Sequence, residues 1–236
     1  MAKQSRKHAN KPDIKAELVQ LADPKYRTFS SGLIPGADTM LGVRVPDLRD
    51  MAKRIAQGDW QAYLREATDD SFEEIMLQGL VIGYAKGNPD EIISALKYFI
   101  PKIDNWSVCD SVAMGLKIAK KYPDRFWKFI QPYLDSDREF FVRFGVVMLL
   151  DHYVDDKHID DVLNILDKIT LDAYYVKMSV AWAVSVCYVK FPEITQEYLL
   201  NCSLDDGTYN KSIQKIIESY RVDNDAKNIL RKMKRK

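Results

Sequence analysis

A chain of 236 residues, 47% hydrophobic and 29% charged, is long enough to bury one large core or to build one elongated stack. No apolar run approaches the roughly 18 residues that a membrane span needs, which excludes a transmembrane helix. The formal net charge of +1 argues against a surface coated in positive charge but leaves room for a local basic face.

The N-terminus, Met1 to Lys11, is polar and basic, without the apolar stretch of a secretory signal. Pro12 to Leu21 reads as a first short helix. From Asp23 to Leu41 the pattern weakens around Gly32, Pro35 and Gly36, which predicts a short helix followed by a loop. Pro46-Asp47-Leu48-Arg49 opens a further helix with proline in the first turn. Trp60 to Arg65 and Phe72 to Lys86 continue the helical reading. Val222 to Met233 forms a last helix that frays into a basic tail, with residues 1–11 and 234–236 expected to be mobile ends of a single domain spanning 1–236.

Between Pro89 and Tyr220 the chain repeats itself. Pro89, Pro123, Lys157 and Pro192 open amphipathic stretches separated by 34, 34 and 35 residues. A second series starts at Asp104, Asp137, Asp172 and Gly207, spaced 33, 35 and 35 apart. A period in the mid-thirties holding two helical patterns marks a helical-pair repeat, whose units bury their apolar faces only against neighbours. The predicted fold is all-α, a HEAT-like helical-repeat solenoid with a concave binding face. Asp104, Asp137 and Asp172 each precede an apolar-periodic run and suit an N-cap or first-turn carboxylate.

Positions 2, 6 and 10 of each second helix share one face. They hold Trp106, Asp110 and Met114, then Glu139, Arg143 and Val147, then Tyr174, Met178 and Trp182. In parallel register, Trp106, Asp110, Arg143 and Trp182 converge on one patch. Periodicity alone leaves the ordinary explanation standing: core tryptophans and a structural ion pair, with Glu139 also placed to meet Arg143 one turn away.

Other chemistries find little support in the residues. His8, His152 and His158 lack metal-ligand spacing, and no Gly-rich phosphate loop is present. No serine or cysteine has a credible histidine partner, and Cys109, Cys187 and Cys202 lack paired spacing, as buried reduced thiols do.

Four segments carry a resemblance. Leu41-Gly42-Val43-Arg44-Val45-Pro46-Asp47-Leu48-Arg49, Asn105-Trp106-Ser107-Val108-Cys109-Asp110-Ser111, Val142-Arg143-Phe144-Gly145 and Ala181-Trp182 are similar to the AlkD-type DNA alkylation-repair glycosylases. The similarity runs over nearly the whole chain from about Lys15, and the Trp-x-x-x-Asp element is its most specific part. The resemblance implies Asp110 as catalytic carboxylate, Trp106 and Trp182 as aromatics flanking the damaged nucleotide, and Arg143 as holding the site and the backbone. It further implies phosphate contacts from Arg44, Arg49, Lys53 and Arg54; Asn210, Lys211 and Lys215, in the last repeat's concave helix, form a second group placed either for phosphate contact or as ordinary solvated side chains. Three departures are visible: Ser185 where better-known members have arginine, Asn105 and Phe140 where tryptophan is frequent, and the interrupted segment Pro24 to Leu41.

The implied reaction needs few groups. Purines alkylated at N3 or N7 are cationic, so the glycosidic bond is weak and the base departs neutral without a general acid. Charge then develops on the deoxyribose in an oxocarbenium-like transition state, which one carboxylate can stabilise while orienting water. The expectation is a monomeric DNA glycosylase of a bacterial-type cytosol, acting on double-stranded DNA with alkylated purines such as 3-alkyladenine and 7-alkylguanine. Neither metal, small-molecule cofactor nor membrane is involved. The alternative is an excision-deficient paralogue serving as a weak DNA-binding or protein-binding scaffold.

Overall fold

The computed structural model describes residues 13–236. The N-terminal Lys3, Arg6, Lys7, His8 and Lys11 lie outside them. Among the described residues the regular structure is wholly helical.

The N-terminal part comprises α1 (Ile14–Leu21), α2 (Pro24–Ser31), α3 (Val45–Ala56), α4 (Trp60–Glu66) and α5 (Phe72–Tyr84). The repeats follow as α6 (Pro89–Phe99), α7 (Trp106–Gly115), α8 (Ile118–Lys121), α9 (Pro123–Leu134), α10 (Glu139–His152), α11 (Ile159–Lys168), α12 (Tyr174–Lys190), α13 (Pro192–Asn201) and α14 (Asp206–Glu218). A final helix, α15 (Asn224–Met233), packs on α14. Helices α3, α5, α7, α10, α12 and α14 pack side by side in one continuous row. Helices α6, α9, α11 and α13 form a second layer against that row.

Sequence patterning assigns each helix its layer. In the second layer α11 is amphipathic: Ile159, Val162, Leu163 and Leu166 are buried at the i, i+3, i+4, i+7 spacing of a single stripe. In the first row α10 is apolar nearly all round and buries every residue from Val142 to Leu150, because it has neighbours on most sides. Burial of side chains such as Phe126, Phe144 and Met148 contributes about 2–3 kcal/mol each.

Pro89, Pro123 and Pro192 occupy first-turn positions, as predicted. The aspartates of the second series do not cap. The N-caps of α7, α10 and α12 are Asn105, Arg138 and Ala173, one residue later in each case. Asn105 alone of these caps with its side chain, its Oδ1 accepting from Val108 N–H at 3.0 Å. Asp104 accepts from the Asn105 amide instead, and Asp172 pairs with Lys177 at 2.7 Å.

The interrupted segment before α3 is pinned by one carboxylate. Glu73 on α5 is fully buried and accepts three backbone N–H groups, from Leu41 at 2.8 Å, Gly42 at 2.7 Å and Val43 at 3.0 Å. Gly42 is required there twice over. Its φ is +99°, and a Cβ would stand 2.5 Å from the Asp23 carbonyl oxygen and 2.8 Å from Arg27 Cβ. Gly42→Ala is expected to cost about 2–3 kcal/mol, read as a lower urea midpoint with an unchanged slope.

The other end of the chain is also tied down. Arg235, read from the sequence as part of a mobile end, exchanges two backbone hydrogen bonds with the Asn210 side chain, at 2.9 and 3.0 Å. Its guanidinium lies 4.0 Å from the Tyr209 ring centroid and donates to the Cys202 carbonyl. Cys109 and Cys187 are buried, as expected, whereas Cys202 is only half-buried. Burial raises the Cys109 thiol pKa well above the ordinary range and that of Cys187 to about 12. Iodoacetamide at pH 8 should therefore alkylate Cys202 first, with the other two reacting only in urea, as intact-mass spectrometry would show.

Candidate active site

Helix α7 enters the site through its cap. Asn105 is buried and fixes the first turn, so Trp106 opens the helix and Asp110 follows one turn later. Helix α10 supplies Arg143, whose register one repeat on matches that of Asp110. The two side chains meet in a bidentate ion pair: Arg143 Nε donates to Asp110 Oδ1 at 2.8 Å, and Nη2 donates to Oδ2 at 2.7 Å. A third N–H, on Nη1, donates to the Tyr175 carbonyl of α12 at 2.9 Å.

This planar fork decides what each group can do. Arg143 has only 8% of its side chain exposed, against 16% for Asp110. The arginine is thus structural in placement, holding a carboxylate toward solvent rather than reaching out itself. Asp110 borders a recess of about 380 Å³ between α5 and α7. Ser111, Met114 and Gly115 of α7 share its lining with Gly83 and Tyr84 of α5, together with Arg49, Lys117 and Asp151. The two helices approach closely: a Cβ would lie 2.3 Å from Val112 Cγ2 at Gly79 and 3.3 Å from the Gly115 carbonyl oxygen at Gly83.

The indoles sit differently from the carboxylate. Trp106 is partly buried and donates its Nε1–H to the Leu33 carbonyl at 3.3 Å, tying α7 to the N-terminal segment. Trp182 is partly buried against the core, and its backbone carbonyl accepts from Ser185 Oγ at 2.7 Å. Neither indole lines the recess. The predicted stripe also loses a position, since Val147 is fully buried while Met114 and Tyr174 are exposed. The direct Glu139–Arg143 pair is replaced: Glu139 Oε1 accepts the Tyr175 N–H at 2.7 Å.

At the far end of the same pair of helices, His152 Nε2 donates to the Ala113 carbonyl at 3.0 Å. Desolvation lowers the His152 pKa, so the neutral imidazole serves as a second strut between α10 and α7.

The basic residues divide into three kinds. Arg49 faces the recess beside Asp110. Arg44 and Lys53 are exposed but paired, with Asp23 and Asp50, both at 2.8 Å. The Tyr26 N–H and then the Arg44 guanidinium hold the Asp23 carboxyl below its ordinary range. Such open ion pairs are solvent-screened and contribute little to stability. Arg54 pairs with Glu17 across α1. In the last repeat Lys211 donates to Gln214 at 3.1 Å, Lys215 is half-exposed, and the Asn210 amide is spent on Arg235. Sequence reasoning missed Asp151, Lys117 and the Tyr175 backbone: Asp151 continues the stripe one turn past Val147, beyond the three positions taken, Lys117 precedes the short helix α8, and a backbone group has no residue signature.

A larger groove of about 760 Å³ is lined by Trp60, Ile82 and Tyr98 among others. It uses Gln78 and Ile82 of α5, whereas the recess uses Gly79, Leu80 and Gly83, and it contains none of the predicted site residues.

A row of helical repeats thus holds the Asp110 carboxylate, through Arg143, at the edge of a recess that Asp151 also lines. The chain belongs to the DNA alkylation repair enzyme family, whose model matches residues 14–213. A search of curated proteins found no match.

Proposed function

We propose that the protein hydrolyses the N-glycosidic bond of cationic N3- or N7-alkylated purines in double-stranded DNA. The observation that carries this reading is Asp110, gripped through both oxygens yet open to a recess. In the reaction the C1′–N9 bond breaks with its electron pair leaving on the already cationic base, which departs neutral. Asp110 stabilises the positive charge left on the deoxyribose and orients the water whose oxygen bonds to C1′ as its proton passes to solvent. Arg143 orients that carboxylate through its two hydrogen bonds. Trp106 and Trp182 lie outside the recess, so in this reading they meet the cationic nucleotide only at its periphery, at about 0.5–2 kcal/mol per contact. Arg44, Arg49, Lys53, Lys211 and Lys215 steer and hold the phosphates. The protein acts as a cytoplasmic monomer without cofactor. The test is chromatographic detection of free 7-methylguanine after incubation with methylated duplex DNA; no release above the spontaneous rate rejects the proposal.

A second reading, an excision-deficient paralogue with a HEAT-like solenoid binding DNA or protein, draws on the inward use of polar groups. Ser185 donates to its own helix, and the Asn210 amide is occupied. Affinity that is salt-sensitive and indifferent to lesions, with no base release, favours it.

A further inference from the structure

Helix α12 starts without a side-chain cap. Its N-cap is Ala173, whose side chain offers no acceptor, so the N–H of Tyr175 in the first turn has no partner within its own helix. The partner comes from the neighbouring repeat, where Glu139 Oε1 accepts it at 2.7 Å. A carboxylate at a helix N-terminus is favoured by the helix dipole as well.

One turn along α10 from Glu139 stands Arg143, and it takes the carbonyl of the same residue, Tyr175, at 2.9 Å. The two side chains therefore grip the two polar backbone groups of one residue. The Phe140 ring packs on the Tyr175 ring, with centroids 5.5 Å apart, and steadies the contact. Only one edge of the guanidinium meets Tyr175. Its other edge, Nε and Nη2, is thereby turned to both oxygens of Asp110.

We propose that Glu139 is a positioning residue for Asp110, acting through the Tyr175 backbone and Arg143. Its occupation by a backbone N–H has a second effect. A free Glu139 carboxylate one turn from Arg143 would compete with Asp110 for the guanidinium. Held by Tyr175, it leaves that guanidinium to the carboxylate that faces the recess.

The effect on rate rests on the excision reading above; the effect on Arg143 does not. Glu139→Ala should lower the single-turnover rate of 7-methylguanine release roughly tenfold, because a misaligned reacting group costs rate steeply. Affinity for a duplex carrying an abasic-site analogue should stay within about twofold, since Glu139 touches no DNA in this scheme. Glu139→Gln retains a carbonyl acceptor for the Tyr175 N–H and should restore the rate to within about twofold of wild type. Hydrogen exchange of the Arg143 Nε–H, followed by 15N NMR, supplies a readout free of activity. It should accelerate in Glu139→Ala and remain slow in Glu139→Gln. The proposal is overturned if Glu139→Ala keeps both the wild-type rate and slow exchange, or if Glu139→Gln fails alongside it. Should the wild type release no base, the excision reading falls, and the exchange measurement alone decides for or against Glu139.

Discussion

Asp110→Asn is expected to reduce release of 7-methylguanine from methylated duplex DNA by about 10²-fold or more while leaving DNA affinity nearly unchanged. Removing one preorganised charge from the place where transition-state charge develops costs about 2.7–4 kcal/mol of barrier in comparable sites. Asparagine is nearly the same size and keeps one oxygen for Arg143, so the recess retains its shape. It loses the negative charge that the deoxyribose cation needs. The same change leaves a guanidinium of 8% exposure without its counter-ion, and removal of one partner from such a pair costs about 3–5 kcal/mol. Partial exposure of Asp110 puts this variant at the lower end, near 3 kcal/mol, or a melting temperature lower by roughly 6–12 °C. Base release must therefore be compared below that transition. Equal release by both proteins removes Asp110 from the mechanism.

The largest stability effect should come from a residue outside the site. Glu73→Ala orphans the N–H groups of Leu41, Gly42 and Val43 and leaves a void in a fully buried position. Each unsatisfied buried donor costs about 1–3 kcal/mol, so a loss of more than 4 kcal/mol is expected even after water enters. Glu73→Gln can keep two of the bonds through its carbonyl, but it turns an NH₂ group toward the third donor. A loss of about 2–3 kcal/mol is the expected intermediate result. Urea titration of the three proteins checks the order; a Glu73→Ala midpoint equal to wild type would mean that the 41–43 segment does not depend on this carboxylate.

The architecture was readable because a helix advertises itself through spacing. Ile159, Val162, Leu163 and Leu166 need no structure to be placed on one stripe, and Pro89, Pro123 and Pro192 announce helix starts through a missing N–H. The Asp110–Arg143 contact was readable for a related reason, since equal positions in adjacent repeats become spatial neighbours when the repeats stack. Cap identity was not. Asp104 and Asn105 are both good capping residues, and only the extended backbone at Asn105, with φ −147° and ψ 159°, settles which one turns into the helix.

The role of Glu73 was hidden by distance, because its three donors come from a loop about thirty residues earlier. A weak signal existed: Glu73 is 33 residues ahead of Trp106 and therefore in the register of the stripe. The tryptophans show the limit of register reasoning. A shared helix face, at positions 2 and 10 of their repeats, gave Trp106 and Trp182 the right layer, but side-chain direction depends on what each ring packs against, here Leu33 for one and the core for the other.

Arg143 binds α7, belongs to α10 and binds α12. In most of a repeat array, one unit can be added or removed because every junction resembles the next. Here three consecutive members of the row share a single cation, so the stretch from α7 to α12 is indivisible. Lengthening or shortening the array keeps this three-way joint only if it happens at the ends, outside α7 to α12.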